Sequence, residues 1–328
     1  MIVSRAPVRF SLGGGGTDLP SYYREHGGYV VTAAINRYVH VMANQRFHDD
    51  VRLAYSQTEV VPSAHEVRHP IFREALLFLG IERGIELASI ADVPSNTGLG
   101  SSGSFTVALL NALHAYRRDF VSCSQLAEEA CEIEMNRLGE PVGKQDQYIA
   151  AFGNVTALTI ERDGTVHVEP VPVREEVLDE LQNNLLAFYS GVERASIRVL
   201  AEQQQKIDAG ASDTLAHMHR IGAIGREVYD LLVSGQTDAY GELLHDHWTR
   251  KRALTTTMTN PTFDAHYEAA REAGALGGKL MGAGGGGFFL FYVRPADKRR
   301  VYEALIARGL RPLRFRFDHD GARIVANV

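Results

Sequence analysis

Pro94-Ser-Asn-Thr-Gly-Leu-Gly-Ser-Ser-Gly-Ser104 is the stretch on which the reading of this chain turns. It follows a strand-like run, Gly84 to Asp92, and opens a helical one, Ser101 to Tyr116, with Val107, Leu110, Ala112 and Leu113 on one face. Unpaired backbone N–H groups at a helix N-terminus point outward, and the helix dipole adds partial positive charge there. The glycines let the backbone close on an anion, and the serines offer hydroxyls. Gly98, Gly100 and Gly103 also fit the dinucleotide pattern G-x-G-x-x-G. That reading needs a second strand ending in an acidic residue, whereas here a second helical run, Ser124 to Leu138, follows the first. No G-x-x-x-x-G-K-[ST] phosphate loop occurs anywhere in the chain.

Two further glycine clusters lie at element junctions. Ala6-Pro-Val-Arg-Phe-Ser-Leu-Gly-Gly-Gly-Gly-Thr-Asp18 ends a strand-like run, Ile2 to Leu12, and sets Arg9 and Asp18 around a loop nearly free of side chains. Lys279-Leu-Met-Gly-Ala-Gly-Gly-Gly-Gly-Phe-Phe289 leads into a strand, Phe288 to Val293, so its own G-x-G-x-x-G match lacks the helix that dinucleotide binding requires. A single glycine run is most simply a turn needing positive φ. Three of them, each at a junction, point to loops shaped around a ligand.

The remaining pattern is α+β in both halves. Strands are expected over Gly28 to Gln45 (one or two), Val51 to Ser56 and Leu185 to Tyr189. A hairpin is expected from Asn154 to Val173 around Asp163-Gly164. Helices are expected over His69 to Leu79, 193 to 208, Asp213 to Val233, Asp238 to Leu254, Pro261 to Ala273 (capped by Asn260) and Ala296 to Arg308. Terminal strands are expected over Leu313 to Phe317 and Arg323 to Ala326. The charged stretch Val173 to Asp179 marks a boundary between domains 1–175 and 176–328.

At 328 residues the chain is long enough for two packed domains. A net charge of -6 without a basic stripe argues against nucleic acid, and no apolar run reaches membrane-spanning length. Cys123 and Cys131, eight residues apart on one helical run, would stand about 12 Å apart, too far to bridge. With no basic-then-apolar leader, the expectation is a cytoplasmic protein, monomeric or homodimeric.

In order and spacing, the three clusters together resemble those of the GHMP kinase superfamily, which includes galactokinase, homoserine kinase and mevalonate kinase. Gly13-Gly-Gly-Gly-Thr-Asp18, Gly143-Lys-Gln-Asp-Gln-Tyr148 and Trp248-Thr-Arg-Lys251 are most similar to its heptose 7-phosphate kinases. Gly15 and Gly16 stand where galactokinases carry Glu-His, and Arg9 where mevalonate kinases carry lysine.

The resemblance implies an N-terminal domain like ribosomal protein S5 and a ferredoxin-like C-terminal domain. It implies ATP and Mg2+ as cofactors and a small sugar or sugar phosphate as substrate. The expected product is a sugar 1,7-bisphosphate made at the anomeric hydroxyl; fucose or galactose as acceptor, or a non-catalytic sensor, are the alternatives.

Asp146 matches the family's base, and Arg9 the cation that steadies the transferring phosphoryl group. Pro94, Gly98, Leu99, Gly100, Ser101, Ser102 and Gly103 match the nucleotide loop. Ser102 (or Ser101) and Glu134 match the metal ligands, a hydroxyl and a carboxylate suited to magnesium. Gly14, Gly15, Gly16, Thr17, Asp18, Gly284 and Gly285 would line the acceptor site, with Lys251 and Arg252 for a substrate phosphate. Each has a plainer reading: a helix cap for Asp146, surface cations for Arg9 and for Arg250 to Arg252, a solvated acidic face around Glu134, and a turn for Thr17-Asp18. His217, His219, His245 and His247 read as structural or surface residues, because i, i+2 rings on a helix point apart.

Overall fold

The computed structural model describes residues 1–192, 199, 201–202, 205–207, 212–255 and 257–328. The helix expected over 193 to 208 falls largely outside these.

The first sheet is built on β2, Gly28–Gln45, a single strand of 18 residues. β1, Ile2–Gly13, runs antiparallel along nearly all of it. On its other edge β2 divides its partners. Gly28 to Ala33 pairs with β6, Val155–Ile160, and Val39 to Gln45 pairs with β5, Ile85–Ala91. Nothing in the β-branched run breaks the strand, so the open choice between one strand and two resolves as one strand serving two neighbours. β3 (Val51–Ala54) and β4 (Thr58–Val61) extend the sheet beyond β5, and β7 (Val166–Pro170) completes the hairpin with β6. Thr165 N–H donates to Asp163 at 2.8 Å, and Gly164 takes φ 91° at the turn. The last strand, β12 (Arg323–Asn327), returns to pair with β1, so the C-terminal end of the chain closes the first sheet.

Helices α1 (Pro20–His26), α2 (Pro70–Phe78), α3 (Ser101–Arg117), α4 (Cys123–Cys131) and α5 (Gln145–Phe152) belong to this half. α3 lies across β1 and β2, and its Val107, Leu109 and Leu110 are fully buried. α4 does not continue as an α-helix to Leu138. It widens into a π turn over Glu132–Arg137, a feature often found at functional sites.

The second sheet has the order β11-β8-β10-β9, from β8 (Leu185–Tyr189), β9 (Ala275–Leu280), β10 (Phe288–Val293) and β11 (Arg311–Leu313). Every residue of β10 is buried, which explains its uninterrupted apolar run. α7 (Ser212–Ser234), α8 (Asp238–Leu254) and α9 (Pro261–Glu272) precede β9, and α10 (Lys298–Ile306) joins β10 to β11. The succession β, helices, β, β, helix, β is that of a ferredoxin-like domain. Asn260 caps α9, accepting from Phe263 N–H at 2.9 Å.

The charged stretch Val173 to Asp179 runs into α6, Glu175–Asn184, an amphipathic helix burying Val177, Leu178 and Leu181. The expected strand Leu313 to Phe317 is shorter and earlier, with Phe317 left in one bridge to Ile35. α1, β4, α5 and β9 have no counterpart among the expected elements. One apolar cluster joins the halves, combining Val8, Phe10 and Leu12 of β1 with Tyr240, Leu244, Leu290 and Tyr292. Both cysteines are free, and among the described residues no helix is long and apolar enough to cross a membrane.

Candidate active site

The three glycine clusters meet. Gly98 takes φ 80° and Gly100 φ 76°, which turns the chain sharply into α3. A Cβ on Gly282 would stand 2.4 Å from the Gly98 Cα, and one on Gly287 2.1 Å from the Thr97 carbonyl oxygen. Only glycine permits these two loops to lie backbone against backbone. Arg9 N–H donates to the Leu99 carbonyl at 3.0 Å and binds β1 to the same junction.

These loops and α5 surround a cavity of about 220 Å³. Asp146, in the first turn of α5, stands over the start of α3. Gly100 and Gly103 allow this approach, since a Cβ on Gly103 would lie 2.9 Å from the Asp146 Cβ. Arg9, 3% exposed, holds the carboxylate from two nitrogens, Nε at 2.8 Å and Nη2 at 2.6 Å, and donates through Nη1 to the Gly98 carbonyl at 2.6 Å. Asp146 is therefore neither a helix cap nor a lone surface acid, and Arg9 is not a surface cation. The pair faces the open N-terminus of α3, where Ser101 and Ser102 also line the cavity.

Glu134 comes from the π turn and is 1% exposed. It accepts from the Ser102 hydroxyl and, at 2.5 Å, from the Gln147 amide. Burial pushes its carboxyl up to about 7, partly offset by those two hydrogen bonds. The acidic neighbours Glu128, Glu129 and Glu132 do not share this setting, because Glu128 pairs with Lys144 and Glu129 with His114. Lys144 points away from the cavity and ties Glu128 to the Gly164 carbonyl (2.7 Å) of the β6–β7 hairpin.

The first cluster supplies the far wall. Asp18 is buried, and its carboxylate accepts from Gly16 N–H at 3.0 Å and Gln145 N–H at 3.1 Å. Burial raises its pKa against those two bonds. Gly15 and Gly16 line the cavity, whereas Gly14 serves the fold, for a Cβ there would sit 1.9 Å from the Tyr29 carbonyl oxygen. The Thr17 hydroxyl is likewise occupied: it faces the Gly14 and Tyr29 carbonyls at 2.8 and 3.0 Å and accepts from Tyr29 N–H at 3.0 Å.

The basic triplet divides. Lys251 faces the cavity, buried, and donates to the Gly282 carbonyl; burial first, then the nearby Arg9, lowers its pKa to about 8. Arg250 pairs with Asp246 at 3.0 Å and Arg252 with Asp264 at 3.4 Å, each with a partly exposed side chain. Arg252 therefore does not join Lys251. Gly284 and Gly285 pack beneath Met258 instead of lining the cavity; Gly285 N–H donates to the Met258 carbonyl at 2.9 Å. Pro94 accepts from the Thr97 hydroxyl, and Leu99 lies in the core, so both shape the loop from behind.

Two cavity residues escaped the sequence reading. Lys279 on β9 is 1% exposed, with Nζ 3.0 Å from His247 Nδ1. Burial, then Lys251, keeps Lys279 well below the ordinary lysine range, and burial likewise keeps His247 well below the ordinary imidazole range. The signal available was Lys279 itself, a lone charge at the head of a glycine and apolar run. His245, by contrast, turns outward to Tyr267.

Residues 65–154 match the family model for the GHMP kinase N-terminal domain and 228–310 that for the GHMP kinase C-terminal domain, together more than half of the chain. The chain is 27% identical over 318 residues to the D-glycero-alpha-D-manno-heptose 7-phosphate kinase of Campylobacter jejuni, covering 93% of each chain. It is 27% identical over 345 residues to the galactokinase of Pyrococcus furiosus, covering 93% of this chain and 92% of that one. Its fold is similar over the full length of both chains to a D-glycero-D-manno-heptose 1-phosphate kinase from Bacteroides thetaiotaomicron, with a TM-score of 0.83 at 23% identity.

Proposed function

The chain belongs to the GHMP kinase family, and on that premise we propose that it transfers the γ-phosphate of ATP to the anomeric hydroxyl of D-glycero-D-manno-heptose 7-phosphate, giving the 1,7-bisphosphate. The observation carrying the kinase reading is the carboxylate of Asp146, clamped by Arg9 and set over the open N-terminus of α3. The choice of heptose rests on the likeness to the Campylobacter enzyme and on Gly15 and Gly16, which leave backbone where a galactokinase has side chains.

In this proposal the half 1–175 holds the nucleotide, with its phosphates along Gly98 to Ser102. The acceptor lies between Asp18 and Asp146, and Asp18, already held by two backbone N–H groups, keeps free lone pairs for sugar hydroxyls. The anomeric O–H gives its proton to Asp146 as its oxygen bonds to the γ-phosphorus, and the bond to the β-phosphate oxygen breaks to release ADP. Arg9 faces the charge that spreads over the transferring group.

Ser102 and Glu134 fit a magnesium ion: they pair a hydroxyl with a carboxylate, both oxygen donors, and the buried carboxylate has no cationic partner among the described residues. When bound, magnesium would neutralise charge on the nucleotide phosphates.

The test is ADP release with ATP and magnesium over heptose 7-phosphate, sedoheptulose 7-phosphate, galactose, fucose and mannose. Heptose 7-phosphate should turn over fastest, and Asp146→Asn should cut kcat by about 10²–10⁴-fold with ATP binding kept. Turnover only on a neutral sugar would overturn the acceptor assignment. Undiminished turnover in Asp146→Asn would overturn the base.

A further inference from the structure

Cations outnumber their partners on one side of the cavity. Arg9 is satisfied by Asp146 and the Gly98 carbonyl, and Asp18 by two backbone N–H groups. Lys251 and Lys279 are different. Both are at least nine-tenths buried, and among the described residues neither has a carboxylate within ion-pair distance. Lys251 reaches only the Gly282 carbonyl, and Lys279 only His247.

Burying an ammonium without a counter-ion is costly, and such an arrangement is retained where an anion arrives to complete it. His247 and Lys251 are four residues apart on α8 and so share one face, and Lys279 approaches from β9, against which α8 packs closely. A Cβ on Gly277 would stand 1.9 Å from the Gly241 carbonyl oxygen, so this closeness is fixed by glycine. With Lys279 donating to His247 Nδ1 at 3.0 Å, the neutral ring carries its proton on Nε2. Among the described residues that buried Nε2 has no partner. A ring nitrogen without a partner among the described residues, beside two buried lysines that have no counter-ion in a cavity wall, is an arrangement that a ligand's acceptor oxygens would complete.

We propose that Lys251, Lys279 and His247 form a second anion subsite, separate from the N-terminus of α3, which takes the phosphate already carried by the acceptor sugar. The inference rests on the acceptor being a sugar phosphate, and it exchanges the sequence-derived pair Lys251–Arg252 for a set drawn from two elements. The subsite then decides substrate class: it selects a phosphorylated acceptor over the same sugar without phosphate.

The test compares wild type with Lys279→Met, which keeps the side chain's length and removes its charge. Steady-state rates are measured with ATP on D-glycero-D-manno-heptose 7-phosphate and on unphosphorylated D-glycero-D-manno-heptose. Losing charge-assisted hydrogen bonds of this kind should raise KM for the phosphorylated sugar about 10–100-fold and collapse its advantage over the free sugar, with KM for ATP within about threefold. Equal loss on both sugars, or a raised KM for ATP, would overturn the subsite and assign Lys279 to the nucleotide phosphates.

Should wild type act only on unphosphorylated sugars, the acceptor reading fails and the subsite is judged separately. Inorganic phosphate added to protein saturated with a non-hydrolysable ATP analogue should still raise Tm in wild type and not in Lys279→Met. No shift in wild type, or equal shifts in both proteins, overturns it. Lys251→Met provides the second variant should Lys279→Met not fold, and its expected outcomes are the same.

Discussion

Replacing Gly103 by alanine places one methyl group between the two elements that make the site. The added Cβ would lie 2.9 Å from the Asp146 Cβ and 3.1 Å from both its carbonyl carbon and the Gln147 nitrogen. Carbon atoms rest at about 3.5–4.0 Å, so α5 must retreat by roughly 0.5–1 Å. Two of the three contacts are backbone, and no flexible side chain can absorb the shift. Alanine gains about 1 kcal/mol in helix propensity, and overpacking costs about 1–3 kcal/mol, so the net loss of stability is about 0–2 kcal/mol. The consequence for turnover is larger. A misplacement of about 1 Å at a reacting group costs about 100-fold, so kcat in Gly103→Ala should fall about 10–100-fold, with ATP affinity nearly kept because the loop from Gly98 to Ser102 is untouched. ADP release and ATP titration on the same preparation, with Tm as the folding control, measure both. Wild-type kcat in a folded Gly103→Ala protein would refute the idea that the helix contact places Asp146.

Three other outcomes follow from the same geometry. Glu134→Gln removes a buried charge that lacks a cation while keeping acceptor and shape, so Tm should hold or rise while kcat/KM falls on the order of 100-fold, as thermal melting and magnesium titration would report. Thr17→Val strands the Tyr29 N–H, while the Gly14 carbonyl keeps the Thr17 backbone N–H, and should cost about 1–3 kcal/mol in denaturant unfolding. The pH profile follows Lys251, whose titratable neighbours are Arg9, Lys279 and His247 against Asp18, with Asp146 lining the same cavity. Its depressed pKa of about 8 means that the protonated, anion-binding form is lost as pH rises through 8, so kcat/KM for a phosphorylated acceptor should decline above about pH 8. The same depression has a sign for folding: below 8 the buried ammonium is carried at a cost, and an anionic ligand should therefore raise Tm more at pH 7 than at pH 9.5.

The legible parts of the sequence were those where one local rule decides the outcome. Pro94 to Ser104 could be read as a loop opening a helix because glycine and serine at a strand–helix junction have few other uses. The wholly apolar Phe288 to Val293 could be read as a buried strand. Asp146 and Arg9 could be named through the family pattern, but their ion pair joins residues 137 positions apart and no spacing rule reaches that far. The helix α6 after Val173 was not legible because its apolar residues, Val177, Leu178 and Leu181, are outnumbered by charges that face water. β9 was missed because Gly277 and Gly278 lower strand propensity, and they are there to admit α8 and β10 at close range. Arg252 and Lys251 are neighbours in sequence, but they point about 100° apart around one helix, and packing decides which of them faces the cavity.

The proposed reaction places a phosphoryl group on the anomeric oxygen of a sugar that already bears one. Phosphorus NMR of the product from ATP, magnesium and D-glycero-D-manno-heptose 7-phosphate tests it most directly. The predicted result is a second sugar phosphate resonance coupled to the anomeric proton, appearing together with ADP. A phosphate coupled to any other ring proton, or ADP formed with inorganic phosphate alone, would contradict it.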